Sequence, residues 1–199
     1  MANYTESIEK LIESLIRLPG IGRRSAERVV NYILSASKDE IRILSEAITK
    51  VKEIVRFCSI CNNLSEEELC RICQDARRAK DTICIVEKPS DVTAIEKAGG
   101  FVGVYHVLLG SISPLEGRGP QDLKIDGLME RLKQNNIKEV IIATDADIEG
   151  ETTAIYLSKL IKPFGVKLSR IGFGIPVGSN LEYADSSTLS KALEARRDI

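Results

Sequence analysis

Four cysteines constrain this chain more than any other feature. Cys58 and Cys61 are separated by two residues, eight residues follow, and Cys70 and Cys73 repeat the two-residue spacing. That pattern lets two thiolate knuckles close around one tetrahedral ion, and zinc favours such an all-sulfur shell. The loop between the knuckles, Asn-Asn-Leu-Ser-Glu-Glu-Glu-Leu, is too small to fold by hydrophobic burial alone, so the metal is expected to supply its folding energy. Four thiolates leave no open coordination position for water or substrate, which makes the expected site structural. An iron–sulfur cluster suits the paired spacing less well, and four unmetallated cysteines suit it less again. The fifth cysteine, Cys84, lies inside the apolar run Thr-Ile-Cys-Ile-Val and reads as a core thiol without chemistry.

The 199 residues suffice for one main core with appendages, and 43% hydrophobic with 29% charged residues excludes extended disorder. No apolar run approaches membrane-spanning length. The stretch from Met1 to Leu15 lacks the basic segment, continuous apolar core and small-residue cleavage site of a secretory signal, so a cytoplasmic protein is expected. In that reducing compartment the cysteines are metal ligands or buried thiols in preference to disulfides. A net charge of −1 exerts no overall pull on a polyanion, so any nucleic-acid binding must come from a local patch. Such a patch lies at residues 15–30, where Arg17, Arg23, Arg24 and Arg28 stand against Glu27, four minus one, or +3.

The first third reads as all-helical. Ile8, Leu11, Ile12, Leu15 and Ile16 form one helical stripe, Pro19 and Gly20 break it, a second helix begins near Arg23, and a third carries Ile41, Leu44, Ile48, Val51 and Val55. After the cysteines, four β-rich runs (82–87, 101–108, 139–145 and 166–173) alternate with helical stretches at 92–98, 123–134 and 152–162, the pattern of an α/β layer with a mainly parallel sheet. The segment Ser-Ile-Ser-Pro-Leu-Glu-Gly-Arg-Gly-Pro, 111–120, reads as a surface connection. From Tyr183 onward the chain reads as an exposed loop and a weak helix. The expected organisation is a helical hairpin region (1–56), a four-cysteine finger (57–80), an α/β domain (81–174) and a C-terminal segment (175–199).

Two further constellations carry chemistry. In Leu18-Pro19-Gly20-Ile21-Gly22-Arg23-Arg24 the glycines permit a tight turn whose amides open the next helix, where a phosphate is held by N–H groups and helix dipole together. Arg23 and Arg24 add charge beside that nest. Contacts of this kind grip a backbone and read no base sequence. The pattern resembles the helix-hairpin-helix motif of DNA-repair proteins; the competing reading is a helical hairpin that only packs or dimerises. A lone hairpin also leaves an apolar face uncovered, which favours pairing with a second copy. The other constellation joins Glu87, at the end of one strand, to Asp145, Asp147 and Glu149 after another. In an open α/β sheet such strand ends converge, and the acids could hold Mg²⁺, with Glu87 as acid, base or further ligand. The competing reading is a solvated turn in which Asp147 or Glu149 caps the next helix. The acids resemble those of the Toprim fold of topoisomerases, primases and some nucleases.

Helix-hairpin-helix, four-cysteine finger and Toprim motif, in that order, together resemble the RecR family. The resemblance runs nearly the whole length and includes Val86-Glu87 with Pro89 and Asp91, Tyr105-His106-Val107-Leu108, Ser113-Pro114-Leu115, Glu149-Gly150-Glu151 and Gly174-Ile175-Pro176-Val177-Gly178. It implies a non-enzymatic recombination mediator that acts with RecO and RecF to place RecA on single-stranded DNA coated by single-strand-binding protein. It further implies a ring-shaped tetramer or dimer of dimers around DNA, with Gly20, Gly22, Arg23 and Arg24 at the DNA and the acidic surface toward a protein partner. Two positions depart from the family. Relatives carry a loop resembling Asn-Pro-x-x-Glu-Gly, whereas this chain reads Asp145-Ala146-Asp147-Ile148-Glu149-Gly150, closer to catalytic Toprim proteins. Arg118 stands where relatives usually carry an apolar residue, and it could add a phosphate contact. The rival is therefore a Mg²⁺-dependent Toprim phosphodiesterase or nuclease; the chain is too short for the strand-passing domain of a topoisomerase.

Overall fold

The structure is a computed structural model that describes residues 4–134 and 136–196. It divides into two compact units, Met1–Val55 and Arg56–Ile199.

The first unit is three helices: α1 (Glu6–Ile16), α2 (Arg23–Ser35) and α3 (Lys38–Ile54). Ile12 of α1 is fully buried against Ala26 and Val30 of α2, and Tyr4, Ile8, Leu11, Leu15 and Ile21 pack around them. The spacing of those residues at three and four positions gives each helix one apolar face. Between α1 and α2 the chain reverses through Gly20, whose φ of +79° lies in the left-handed region. A capping box starts α3: the Ser37 hydroxyl accepts from the Glu40 amide, and the Glu40 carboxylate accepts from the Ser37 amide. The apolar positions of α3 remain largely exposed, with Ile43, Leu44, Ile48 and Val51 between 48% and 65% accessible.

The second unit centres on four parallel strands in the order β4-β3-β5-β6, where β3 is Ala79–Val86, β4 Gly103–Val107, β5 Glu139–Ile142 and β6 Lys167–Arg170. In β3, Ile83 and Ile85 face one core while Cys84 and Val86 face the other. Both faces of the strand are buried, as an unbroken apolar run in a parallel sheet requires. On one face lie Val92 of α5 (Pro89–Ala98), Tyr105 and Val107. On the other, α6 (Ile125–Gln134) contributes Leu128 and Leu132, and α7 (Ile148–Ile161) contributes Ala154, Leu157 and Ile161. The chain leaves β3 toward β4 on one side and β5 toward β6 on the other, so β3 and β5 flank a topological switch point at their carboxyl ends. Among the described residues, no helix is long and apolar enough to cross a membrane.

Several elements differ from the sequence reading. A two-stranded ribbon, β1 (Arg56–Phe57) with β2 (Leu64–Ser65), and a short helix α4 (Arg71–Gln74) are too brief to leave a periodic pattern. α7 begins four residues before the expected start because Asp147 caps it. The 111–120 segment is a surface loop only at its tip: Leu115 is exposed, but Ile112 and Ser113 are buried, and the Ile112 amide donates to Thr153 Oγ1 at 2.8 Å. The weak C-terminal helix is α8 (Ser186–Glu194), started by Asp185, whose carboxylate accepts from the Ser187 and Thr188 amides.

Candidate nucleic-acid interface and metal centre

The turn before α2 presents helix-opening amides to solvent. Gly22 is the N-cap and offers no side-chain acceptor, and the first intrahelical bond runs from the Ala26 amide to the Gly22 carbonyl. The amides before it have no intrahelical acceptor by the geometry of any helix. No acidic residue occupies the first turn. Gly20, Gly22, Arg23 and Arg24 are all exposed there, so an anion can reach the amides and the positive end of the helix dipole together. Side chains at Gly20 and Gly22 would meet open space, so compactness alone does not demand glycine at either. At Gly20 the positive φ does.

The two arginines are not equivalent. Arg23 donates to Glu9 at 2.7 Å and to Glu27 at 3.2 Å, which offsets much of its charge. Glu9 comes from α1, outside the 15–30 stretch that carries the sequence charge balance, and only the hairpin fold brings it across. Arg24 is exposed and has no carboxylate at ion-pairing distance among the described residues. Arg118, on the 111–120 loop, pairs with Glu116.

Cys58, Cys61, Cys70 and Cys73 are each at most 7% exposed, and their sulfurs lie within 4.8 Å of one another. Each knuckle is a tight turn. The Asn62 amide donates to the Cys58 carbonyl with Asn62 in the left-handed region, and the Gln74 amide donates to the Cys70 carbonyl. The Cys61 and Cys70 sulfurs are 3.5 Å apart. A tetrahedral ion with Zn–S bonds of about 2.3 Å needs sulfurs about 3.8 Å apart, so the four residues fit such an ion. Their chemistry demands one as well, since four clustered thiolates repel. Hydrogen bonding from Cys61 and Cys73 holds the Cys70 thiol far below its ordinary value, while bonding to Cys70 and burial push Cys61 far above it. Cys84 is separate, a buried core thiol pushed up to about 12 by burial.

This finger is fastened to the sheet. The Val107 amide donates to the Cys61 carbonyl at 2.8 Å, and Asn62 Nδ2 donates to the Val107 carbonyl at 3.2 Å. β4 is an edge strand, and the knuckle pairs its open groups. Ile72, between Cys70 and Cys73, packs on both the sulfur cluster and the core beneath β3 and β4.

Glu87 and the Asp145 loop meet at the switch point. Glu87 is 2% exposed and its Oε1 accepts from the Asp145 amide at 3.0 Å. Burial, then the charges of Asp145 and Asp147, raise its carboxyl above the ordinary range, against that hydrogen bond. Asp145 pairs with Lys88 at 3.4 Å. Asp147 caps α7 by accepting from the Gly150 amide at 2.7 Å. Glu149 is half-buried in the first turn of α7. Lys191 of α8 donates to the Ala146 carbonyl, between the two aspartates. Among the described residues, the cysteines are the group of three or more ligands that converges within 4.8 Å; the acids share one end of the sheet without converging so closely. Lys88, Lys191 and the half-buried Arg131 belong to no motif in the sequence, and the buried His106 enters there only within Tyr105-His106-Val107-Leu108, with no role of its own.

Comparison with known proteins assigns each segment. Residues 8–52 match the family model for the RecR helix-hairpin-helix, 55–75 that for the RecR four-cysteine zinc finger domain, 81–172 that for the Toprim domain and 174–197 that for the RecR C-terminal region. The chain is 50% identical over 199 residues to "Recombination protein RecR" of Syntrophotalea carbinolica and 51% identical over 199 residues to that of Pelotomaculum thermopropionicum, with both chains covered fully in each case. It is 52% identical over 196 residues to that of Acidothermus cellulolyticus, with 98% of each chain covered. With the sulfur geometry, the finger match makes Cys58, Cys61, Cys70 and Cys73 the ligands of a structural zinc ion.

Two tests follow from this geometry. Cys73→Ser leaves three sulfurs, so zinc should be lost and the protein should melt lower and aggregate, as read by metal analysis and thermal unfolding. A variant that stays folded without metal would make the site dispensable. A methyl group on Gly150 would stand 2.1 Å from the Asp145 carbonyl oxygen, so Gly150→Ala should cost about 2 kcal/mol or more in urea unfolding of the zinc-loaded protein. Parental stability would contradict that close approach.

Proposed function

This chain belongs to the RecR family, and from that premise we propose that it is a recombination mediator of DNA repair: a scaffold that grips DNA by its backbone and acts with RecO and RecF to load RecA onto single-stranded DNA coated by single-strand-binding protein. The observation that carries the reading is the exposed start of α2, where uncapped amides, the helix dipole and Arg24 lie together with no acidic residue in the first turn. Contacts of that type are independent of base sequence and sensitive to salt. Gly20, Gly22, Arg23 and Arg24 form the proposed DNA site, with Arg24 the stronger arginine because Arg23 is already paired.

The Toprim acids serve this protein as a scaffold surface for a partner, without turnover. Three of the four have structural engagements: Glu87 holds the Asp145 amide, Asp145 holds Lys88, and Asp147 caps α7. Glu149 completes the acidic face. The protein works in the cytoplasm at the nucleoid, as a ring-shaped tetramer or a dimer of dimers, and the bare apolar side of α3 supports assembly with further copies. The four-part division at 56/57, 80/81 and 174/175 belongs to the same reading. A second reading, a Mg²⁺-dependent phosphodiesterase, is favoured by one feature: the Asp-x-Asp-x-Glu-Gly run at 145–150, with Mg²⁺ held by Asp145, Asp147 and Glu149 and with Glu87 as acid or base.

The proposal is tested by DNA binding across a salt series. Arg24→Ala should weaken binding at every sequence tested and lower the salt slope by about one, while Arg23→Ala should have the smaller effect. Parental affinity and slope in the double Arg23→Ala, Arg24→Ala variant would remove the DNA site from α2.

A further inference from the structure

Arg131 lies on α6 and is mostly withdrawn from solvent. Its Nη1 donates to the Tyr105 carbonyl at 2.7 Å and approaches His106 Nδ1 at 3.3 Å. Among the described residues no carboxylate lies within ion-pairing distance of it. A guanidinium in that position is costly unless another negative group compensates it.

His106 does not supply the charge. Its Nε2 lies 2.7 Å from the Lys124 carbonyl, which can only accept, while Arg131 can only donate to Nδ1. The ring is therefore the neutral Nε2–H tautomer, and burial pushes its pKa down to about 4. The strand that Arg131 grips at Tyr105 and His106 continues to Val107, whose amide holds the Cys61 carbonyl. Tyr105 and Val107 lie two positions apart on the edge strand β4, so the guanidinium at the Tyr105 carbonyl and Cys61 at the Val107 amide take successive places along one open edge. Four thiolates around a divalent zinc ion carry a net charge of about −2.

We propose that Arg131 is the counter-charge of the zinc–thiolate centre, a positioning residue through which metal retention is tied to the packing of α6 on β4. The pairing is reciprocal. The centre compensates a cation that has no carboxylate partner among the described residues, and the cation offsets the negative charge of the centre without touching the metal. His106 orients the guanidinium from the side, with Lys124 holding its tautomer. The proposal rests on the zinc assignment for the four cysteines.

The test compares metal retention in three variants of the full chain. Arg131→Gln keeps a donor for the Tyr105 carbonyl and loses the charge; Arg131→Lys keeps the charge and loses the fork. Leu128→Ala loosens the same helix at a fully buried position and changes no charge. Zinc transfer to a coloured chelator gives the release rate, and the sulfur-to-cobalt absorption band of Co²⁺-loaded protein gives the affinity. Arg131→Gln should release zinc at least about tenfold faster and bind Co²⁺ correspondingly more weakly, with Arg131→Lys close to the parent. Leu128→Ala should melt lower with its Co²⁺ affinity unchanged. Parental retention in Arg131→Gln, or an equal loss in Leu128→Ala, would overturn the proposal. If Arg131→Gln does not fold, Arg131→Lys decides: parental affinity supports the counter-charge and a tenfold loss overturns it. A parent protein lacking the four-sulfur cobalt band would instead overturn the zinc assignment itself.

Discussion

Four sulfur atoms within 4.8 Å of one another repel as thiolates unless a cation lies between them, and much of the second unit is arranged around that demand. The segment from Arg56 to Gln74 has a two-stranded ribbon of two residues per strand and a helix of four, none of which would persist alone. Metal ligation closes the two knuckles, and the first then serves the sheet by occupying the open end of β4 at Val107. Ile72 carries the same dependence into the core by packing on the cysteine cluster and on the apolar cluster that includes Val86, Tyr105 and Val107. The zinc site is thus continuous with the Toprim sheet, and its loss exposes an edge strand.

The sheet in turn determines what the acids can do. With β4 and β6 at the edges, the carboxyl ends of β3 and β5 sit side by side, which brings Glu87 to the amide of Asp145 from 58 positions away. The turn between Asp145 and Gly150 is so tight that only glycine fits at its end, and Asp147 is consumed in starting α7. Three of the acids that could hold a divalent ion, Glu87, Asp145 and Asp147, also hold the loop. The hairpin unit divides its residues in a similar way: Arg23 braces α1 against α2 through Glu9, and Arg24 is left to face solvent.

Much of this was legible in the residues. The cysteine spacing identified its ligands directly, because metal coordination restricts spacing more tightly than packing does. β-rich runs identified β3 to β6, and the Pro-Gly-Ile-Gly turn identified the start of α2. The acids were read from their places at strand ends. What escaped had physical reasons. β1, β2 and α4 are shorter than one period of any hydrophobic pattern and are held by the metal. Glu9 reaches Arg23 only after the hairpin closes, so a charge count along the chain overstated the basic patch. Arg131 belongs to no motif, and its meeting with His106 depends on the packing of α6 against β4. The helical stretch from 152 misses the first turn of α7, whose start follows from the other reading of that loop, with Asp147 as a cap.

On the proposed reading this RecR-family chain holds nucleic acid without breaking phosphodiester bonds. Incubation of zinc-loaded protein with Mg²⁺ or Mn²⁺ and supercoiled, linear and single-stranded DNA and structured RNA, beside an Asp145→Ala, Asp147→Ala variant, tests it most directly. DNA should be bound and every substrate recovered intact. Cleavage or relaxation that disappears in the variant would contradict it and make the acidic switch point a catalytic centre.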